Sequence, residues 1–111
     1  MAEPSTDVIQ GTLDLLILKA LSLEPMHGFG VSRRIEQLSR GVFRVNPGSL
    51  LLAFRRLERA DHVRSEWRST ENSRRAKYYR LTPQGRKQLL AATSKWRRFV
   101  EAMGRILAPE G

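Results

Sequence analysis

From Thr12 onward the apolar residues Leu13, Leu16, Ile17, Ala20 and Leu21 recur at spacings of three and four. That is the stripe of an α-helix with one face turned to a core. Thr12 is placed to cap it, and Leu15 and Leu18 widen the apolar face so that the helix is buried on more than one side. The run stops near Ser22, before Glu24-Pro25. A second helix is predicted from about Gly28 to Ser39, with Phe29, Val31, Ile35 and Leu38 on its core side and Arg40-Gly41 as its stop. Val42-Phe43-Arg44-Val45 reads as a short β-like segment. Asn46-Pro47-Gly48-Ser49 then opens a third helix: Asn46 or Ser49 can cap it, and Pro47 suits its first turn. This helix runs to about Ala60, with Leu50, Ala53, Phe54 and Leu57 as its buried stripe.

Beyond the third helix the period drops to two. Val63 to Arg68 alternates apolar or small residues with charged ones, Thr70-Glu71-Asn72-Ser73 is a turn, and Ala76 to Leu81 returns as a second strand. Trp67, Tyr78 and Tyr79 are expected to pack in the core or on one face of this hairpin. Thr82-Pro83 starts a last helix that reaches about Leu107. Along it Leu89, Trp96 and Met103 are seven apart, and Ala92, Phe99 and Ile106 follow each by three, a heptad pattern. Packing of the whole stripe within one chain is one reading of it. The other is a dimer interface made of Leu89, Ala92, Trp96, Phe99, Met103 and Ile106. Three helices and a basic-tipped hairpin come in the order of a winged helix. The expected fold is mainly α with a small β-hairpin: an N-terminal arm over 1–9, a winged helix-turn-helix over 10–81 and a C-terminal dimerisation helix over 82–108.

Composition narrows the function. The 111 residues suit one domain, with no room for a catalytic domain beside it. The absence of cysteine removes disulfides, thiolate metal sites and Cys nucleophiles. No signal pattern opens the chain, and the apolar stretch Leu13 to Leu23 is too short for a bilayer, so a soluble, cytoplasmic protein is expected. The net charge is +9, of which +6 falls on residues 63–88. Charge concentrated on a strand-loop-strand segment, rather than on an amphipathic helix, favours nucleic acid over a membrane surface. Only His27 and His62 could serve as imidazole bases, and the carboxylates show no paired or metal-like spacing. His27-Gly28-Phe29-Gly30 is neither a Walker nor a Rossmann loop. No catalytic residue, metal or cofactor is expected.

Four segments, taken in order, resemble the PadR-like regulators. Gln10-Gly11-Thr12-Leu13-Asp14-Leu15-Leu16-Ile17-Leu18 is similar to the family's opening helix, and His27-Gly28-Phe29-Gly30 to its second-helix start. Val45-Asn46-Pro47-Gly48-Ser49-Leu50 resembles the approach to its recognition helix. Arg74-Arg75-Ala76-Lys77-Tyr78-Tyr79, with Leu81-Thr82 and Gly85-Arg86, resembles its wing strand and the start of the last helix. The likeness spans about residues 9–107. It implies a dimeric winged-helix regulator, usually a repressor of nearby genes and sometimes released by a small molecule. In that resemblance Trp96 corresponds to an aromatic near the dimer centre that can contact such an effector, with His27 and Phe29 not far from it. The family's Tyr-Pro pair is Leu51-Leu52 here, Phe54-Arg55 follow Ala53, and the glycine expected after the helix is Asp61. The first two differences lie in the element that should read DNA.

A winged helix lays its third helix in the major groove and its hairpin tip on the backbone or minor groove. On that basis the DNA-binding residues are Ser49, Leu52, Arg55, Arg56 and Arg59 on the helix, and Arg74, Arg75 and Lys77 on the wing. The partners expected are double-stranded DNA, a second copy of the chain and a small-molecule effector. The rival reading is a winged helix turned to protein contact, with DNA binding weakened or lost at Leu51-Leu52.

Overall fold

The computed structural model describes residues 12–69, 72 and 74–109. The arm over 1–9 lies outside them, as do Thr70, Glu71 and Ser73 of the expected turn. The elements follow in the order α1 (Thr12–Leu23), β1 (Met26–His27), α2 (Gly28–Leu38), α3 (Pro47–Arg59), β2 (Val63–Ser69), β3 (Arg75–Leu81) and α4 (Pro83–Leu107). The fold is therefore the expected winged helix with a long final helix. Its sheet, however, has three antiparallel strands in the order β1-β3-β2. The added strand pairs Met26 with Tyr79 and His27 with Tyr78. Two residues are too few to show a period of two, so β1 leaves no signature in the sequence.

The ends of α2 and α3 have identifiable causes. At α3 it is Asn46, not Ser49, that caps: its Oδ1 accepts from the N–H groups of Gly48 and Ser49 at 2.8 and 3.2 Å. His27 caps α2 through Nδ1, which accepts from Gly30 N–H at 3.0 Å. The far end of α3 closes as a Schellman turn, with His62 N–H on Leu57 C=O and Asp61 N–H on Glu58 C=O. Asp61 takes the left-handed backbone of that turn, φ +59°, in the place where the family resemblance leads one to expect glycine. Arg40 does the same after α2, at φ +54°.

The core gathers Leu13, Ile17, Leu18, Ala20 and Leu21 from α1, Val31 and Ile35 from α2, and Leu50, Ala53, Phe54 and Leu57 from α3. Met26, Val63 and Tyr79 from the sheet and Leu89 from α4 complete it. The Phe54 and Tyr79 rings stack with centroids 3.8 Å apart, which joins α3 to β3. Three expectations need correction. Phe29 and Leu38 do not join the core; they are 68% and 58% exposed, because α2 is short and buries only Val31 and Ile35. Trp67 keeps to the hairpin face that carries Tyr79 but lies out on the wing at 58% exposure, and Tyr78 is on the opposite face. Val42 to Val45 is β-like only at Phe43, which makes an isolated β-bridge, and forms no full strand.

The first turn of α4 is locked to the body. Thr82 Oγ1 accepts from Gly85 N–H and donates to Asp61 C=O, while Thr82 N–H donates to His62 C=O. A Cβ at Gly85 would collide with that His62 carbonyl oxygen, so only glycine allows the approach. Leu89 is the last residue of α4 to enter the core. Farther along, Trp96, Phe99, Val100, Met103, Ile106 and Leu107 are exposed. Among the described residues, the heptad stripe is left largely exposed beyond its first turns.

Candidate nucleic-acid interface

Successive residues of a helix are about 100° apart around the axis. With Leu50, Ala53, Phe54 and Leu57 buried, the opposite meridian of α3 carries Gly48, Leu52, Arg55 and Arg59, all exposed. Arg56 and Ser49 fall to one side of that line, Leu51 and Glu58 to the other. The flanks are put to different uses. Arg56 turns toward α1, where its Nη2 and Nε donate to the Asp14 carboxylate at 2.8 and 3.4 Å. That hydrogen bond, with the charge of Asp14 behind it, raises the guanidinium further above its already high pKa. On the other flank Glu58 accepts from Ser65 Oγ at 3.0 Å and lies 3.6 Å from Lys77 Nζ, tying α3 to both long strands.

The expected DNA contacts thus fall into groups. Arg55 and Arg59 project from the outward meridian, and Arg74 from the approach to β3. None of the three has an ion-pair partner among the described residues. Arg75 lies over the Trp67 ring at 5.5 Å with its charge open to solvent, whereas Lys77 lies over Tyr79 at 5.6 Å and is half-buried beside Glu58. Arg56 is brought to α1 instead. Ser49 is exposed on the first turn of α3, although the N–H of its own backbone is already taken by Asn46.

Between the start of α2, α3 and the wing runs a cleft of about 760 Å³. Phe29, Leu51, Trp67, Arg74 and Arg75 are among its walls, and no carboxylate among the described residues lines it. Leu51 faces this cleft, whereas Leu52 faces out beside Arg55. A second cleft, about 360 Å³, lies between α1 and α4 and is lined by Leu15, Ala92, Trp96 and Phe99 with Gln88 and Lys95. Trp96 stacks on Phe99 there, with centroids 5.3 Å apart. His27 and Phe29 border the first cleft and not this one, so they do not share a pocket with Trp96 within one chain. Sequence reasoning missed the Asp14–Arg56 and Glu58–Lys77 pairs, since residues that far apart in the chain announce no contact. Among the described residues, no three His, Cys, Asp or Glu side chains gather as a metal site. No described helix is long and apolar enough to cross a membrane.

A three-helix body with a cation-bearing third helix beside a basic, antiparallel wing defines a winged-helix DNA-binding protein. Comparison with known proteins agrees. Residues 17–91 match the transcriptional regulator PadR-like family, and the chain belongs to it. A transcriptional regulator from Clostridium thermocellum has the same fold, with a TM-score of 0.81 and 26% identity over 89% of this chain and 96% of its own. A PadR family transcription regulator from Clostridium difficile follows at TM-score 0.77 and 26% identity, over 88% of this chain and all of its own. Protein X of Lysinibacillus sphaericus is 26% identical over 91 residues, 82% of this chain and 84% of that protein. The chain is a DNA-binding transcriptional regulator, and the family and the two solved structures are those of transcriptional regulators rather than enzymes.

Proposed function

We propose that the protein acts as a homodimeric repressor that lays α3 in the major groove of each half of a two-fold symmetric operator. Arg55 supplies a guanidinium fork to a base edge, Arg59 and Ser49 meet phosphates, and Arg74, Arg75 and Lys77 hold the adjoining backbone or minor groove. The observation that carries this reading is the sorting of cations around α3. Arg56 is paired with Asp14 inside the domain, whereas Arg55 and Arg59, on the face opposite the core, have no ion-pair partner among the described residues. An unpaired guanidinium on the outward face is what an anionic partner needs. Arg56 then serves to fix the angle of α3 against α1.

The dimer is formed by α4, whose exposed stripe of Trp96, Phe99, Met103 and Ile106 continues from Leu89 and Ala92. An effector is held at Trp96, where the α1–α4 cleft supplies one apolar wall and a second copy would supply the other. The chain is divided as a winged-helix unit to residue 81 and a dimerisation helix over 82–108. Selection from a random duplex pool at near-physiological salt tests the reading. An enriched two-fold symmetric motif, bound more weakly as salt rises, is the expected result. Repression is checked by placing that motif over a reporter promoter. The absence of any enriched motif would return the fold to the protein-contact reading.

A further inference from the structure

The outward meridian of α3 is not uniformly polar. Gly48, Leu52, Arg55 and Arg59 follow one another along it, and Leu52 is 55% exposed at its centre. The neighbouring side chains are accounted for: Leu51 borders the cleft toward Trp67, and Arg56 is held by Asp14. Gly48, one turn before Leu52 on the same line, presents no side chain to hold the helix off a surface. The N-terminal half of this face therefore offers a bare helix turn, one branched apolar group and then a guanidinium. In the major groove the apolar group that a base pair displays is the 5-methyl of thymine.

We propose that Leu52 reads thymine through that methyl group, and that Arg55 fixes a guanine one or two base pairs away. The proposal rests on the reading of α3 as the major-groove helix and names what its first turns recognise. The spacing follows from the helix. Three residues advance about 4.5 Å along the axis, against about 3.4 Å per base step. Contact with the methyl removes apolar surface of both partners from water, and it needs no donor or acceptor of Leu52. A cytosine at the same position lacks the methyl and presents an amino group, which Leu52 would leave without a partner.

The test uses the duplex recovered by selection. Each thymine is replaced in turn by deoxyuridine, which differs only in lacking the methyl. Affinity is measured by fluorescence anisotropy at fixed salt for the full-length protein and for Leu52→Ala and Leu52→Gln. At one symmetry-related pair of positions, deoxyuridine should weaken wild-type binding about fourfold per half-site, the worth of one buried methyl. Leu52→Ala and Leu52→Gln should bind the two duplexes alike, and guanine should stand within two base pairs of the sensitive site. If the protein selects a motif but no deoxyuridine costs as much as twofold, Leu52 does not read thymine, while the regulator reading stands. A sensitive thymine that responds equally in Leu52→Ala also overturns the proposal, because another group then reads the methyl. If no motif is selected, both readings fail together.

Discussion

Arg56 Nη2 donates to Asp14 Oδ1 at 2.8 Å across 42 positions of sequence, and this one contact separates two adjacent arginines into different trades. Arg55, one residue earlier, points away from the body with no ion-pair partner among the described residues. Both were candidates to touch DNA on helical spacing alone. The difference lies in the flank position of Arg56 and in the Asp14 carboxylate that α1 places beside it.

The two arginines should therefore respond differently to truncation. Arg55→Ala is expected to weaken operator binding by roughly 1–3 kcal/mol without moving the urea midpoint. Arg56→Ala should lower stability by less than about 1 kcal/mol, since the pair is half exposed and screened. Its effect on affinity should be the smaller one. Parallel anisotropy and urea titrations of both variants decide this, and equal losses of affinity would remove the assignment of Arg56 to the body.

Gly85 offers a test of the joint between α4 and the domain. The group that a new Cβ would meet is the His62 backbone carbonyl, which also accepts from Thr82 N–H and cannot swing aside. Gly85→Ala is expected to cost roughly 1–3 kcal/mol in urea unfolding, as overpacking does. A midpoint equal to wild type would mean that the helix start can shift freely.

Asp61 should show the reverse. Its left-handed backbone is strained for a residue with a Cβ, and the Arg64 ion pair it makes is largely exposed. Asp61→Gly is expected to stabilise the domain by about 1 kcal/mol, raising its melting temperature by several degrees. Thermal unfolding followed by circular dichroism reads this directly.

The apolar stripe of α4 predicts a change of assembly rather than of fold. Changing Trp96 and Phe99 together to Glu should give a monomer in sedimentation with an unaltered helical spectrum. A wild-type chain that is already monomeric at micromolar concentration would dispose of the dimer.

Tyr79 adds a pH dependence. Burial, and next the charge of Glu58, raise its phenol above the ordinary 10.0, with Arg55 acting in the opposite sense. The unfolded chain then releases this proton at lower pH than the folded one. Stability is full below about pH 10 and declines as the pH rises toward the folded value. Tyr79→Phe keeps the ring stacked on Phe54 and should flatten the decline in urea midpoints between about pH 9.5 and 11.

The helices were legible because each carries its own period and its own ends. Asn46-Pro47 and Thr82-Pro83 mark starts that hydrogen bonds then realise, and the heptads of α4 run to Leu107 as expected. What escaped was decided by tertiary distance. Phe29 matched the apolar stripe of α2 but sits on the side where the wing cleft opens. Trp67 alternated correctly on β2, yet the strand extends past the core before that residue is reached. Arg56 stands one 100° step from Arg55, on the flank of the outward face, and the position of Asp14 on α1 turns it inward. Periodicity tells which side of an element is apolar; it does not tell how far the neighbouring element reaches along that side.

The rigid seat of α4 on the domain gives the proposed dimer a sensitive geometry. About 1.5 Å per residue makes this helix a rod of roughly 37 Å, clamped near Gly85 and Leu89 and free at its outer turns. Pivoted at one end by about 5°, such a rod carries its other end some 3 Å, close to one base-pair step of about 3.4 Å. A ligand at Trp96 would need only to tilt the crossing of two such rods slightly to put both α3 helices out of phase with their half-sites. The two winged-helix units could stay internally unchanged while the distance between them no longer matched the pitch of the duplex.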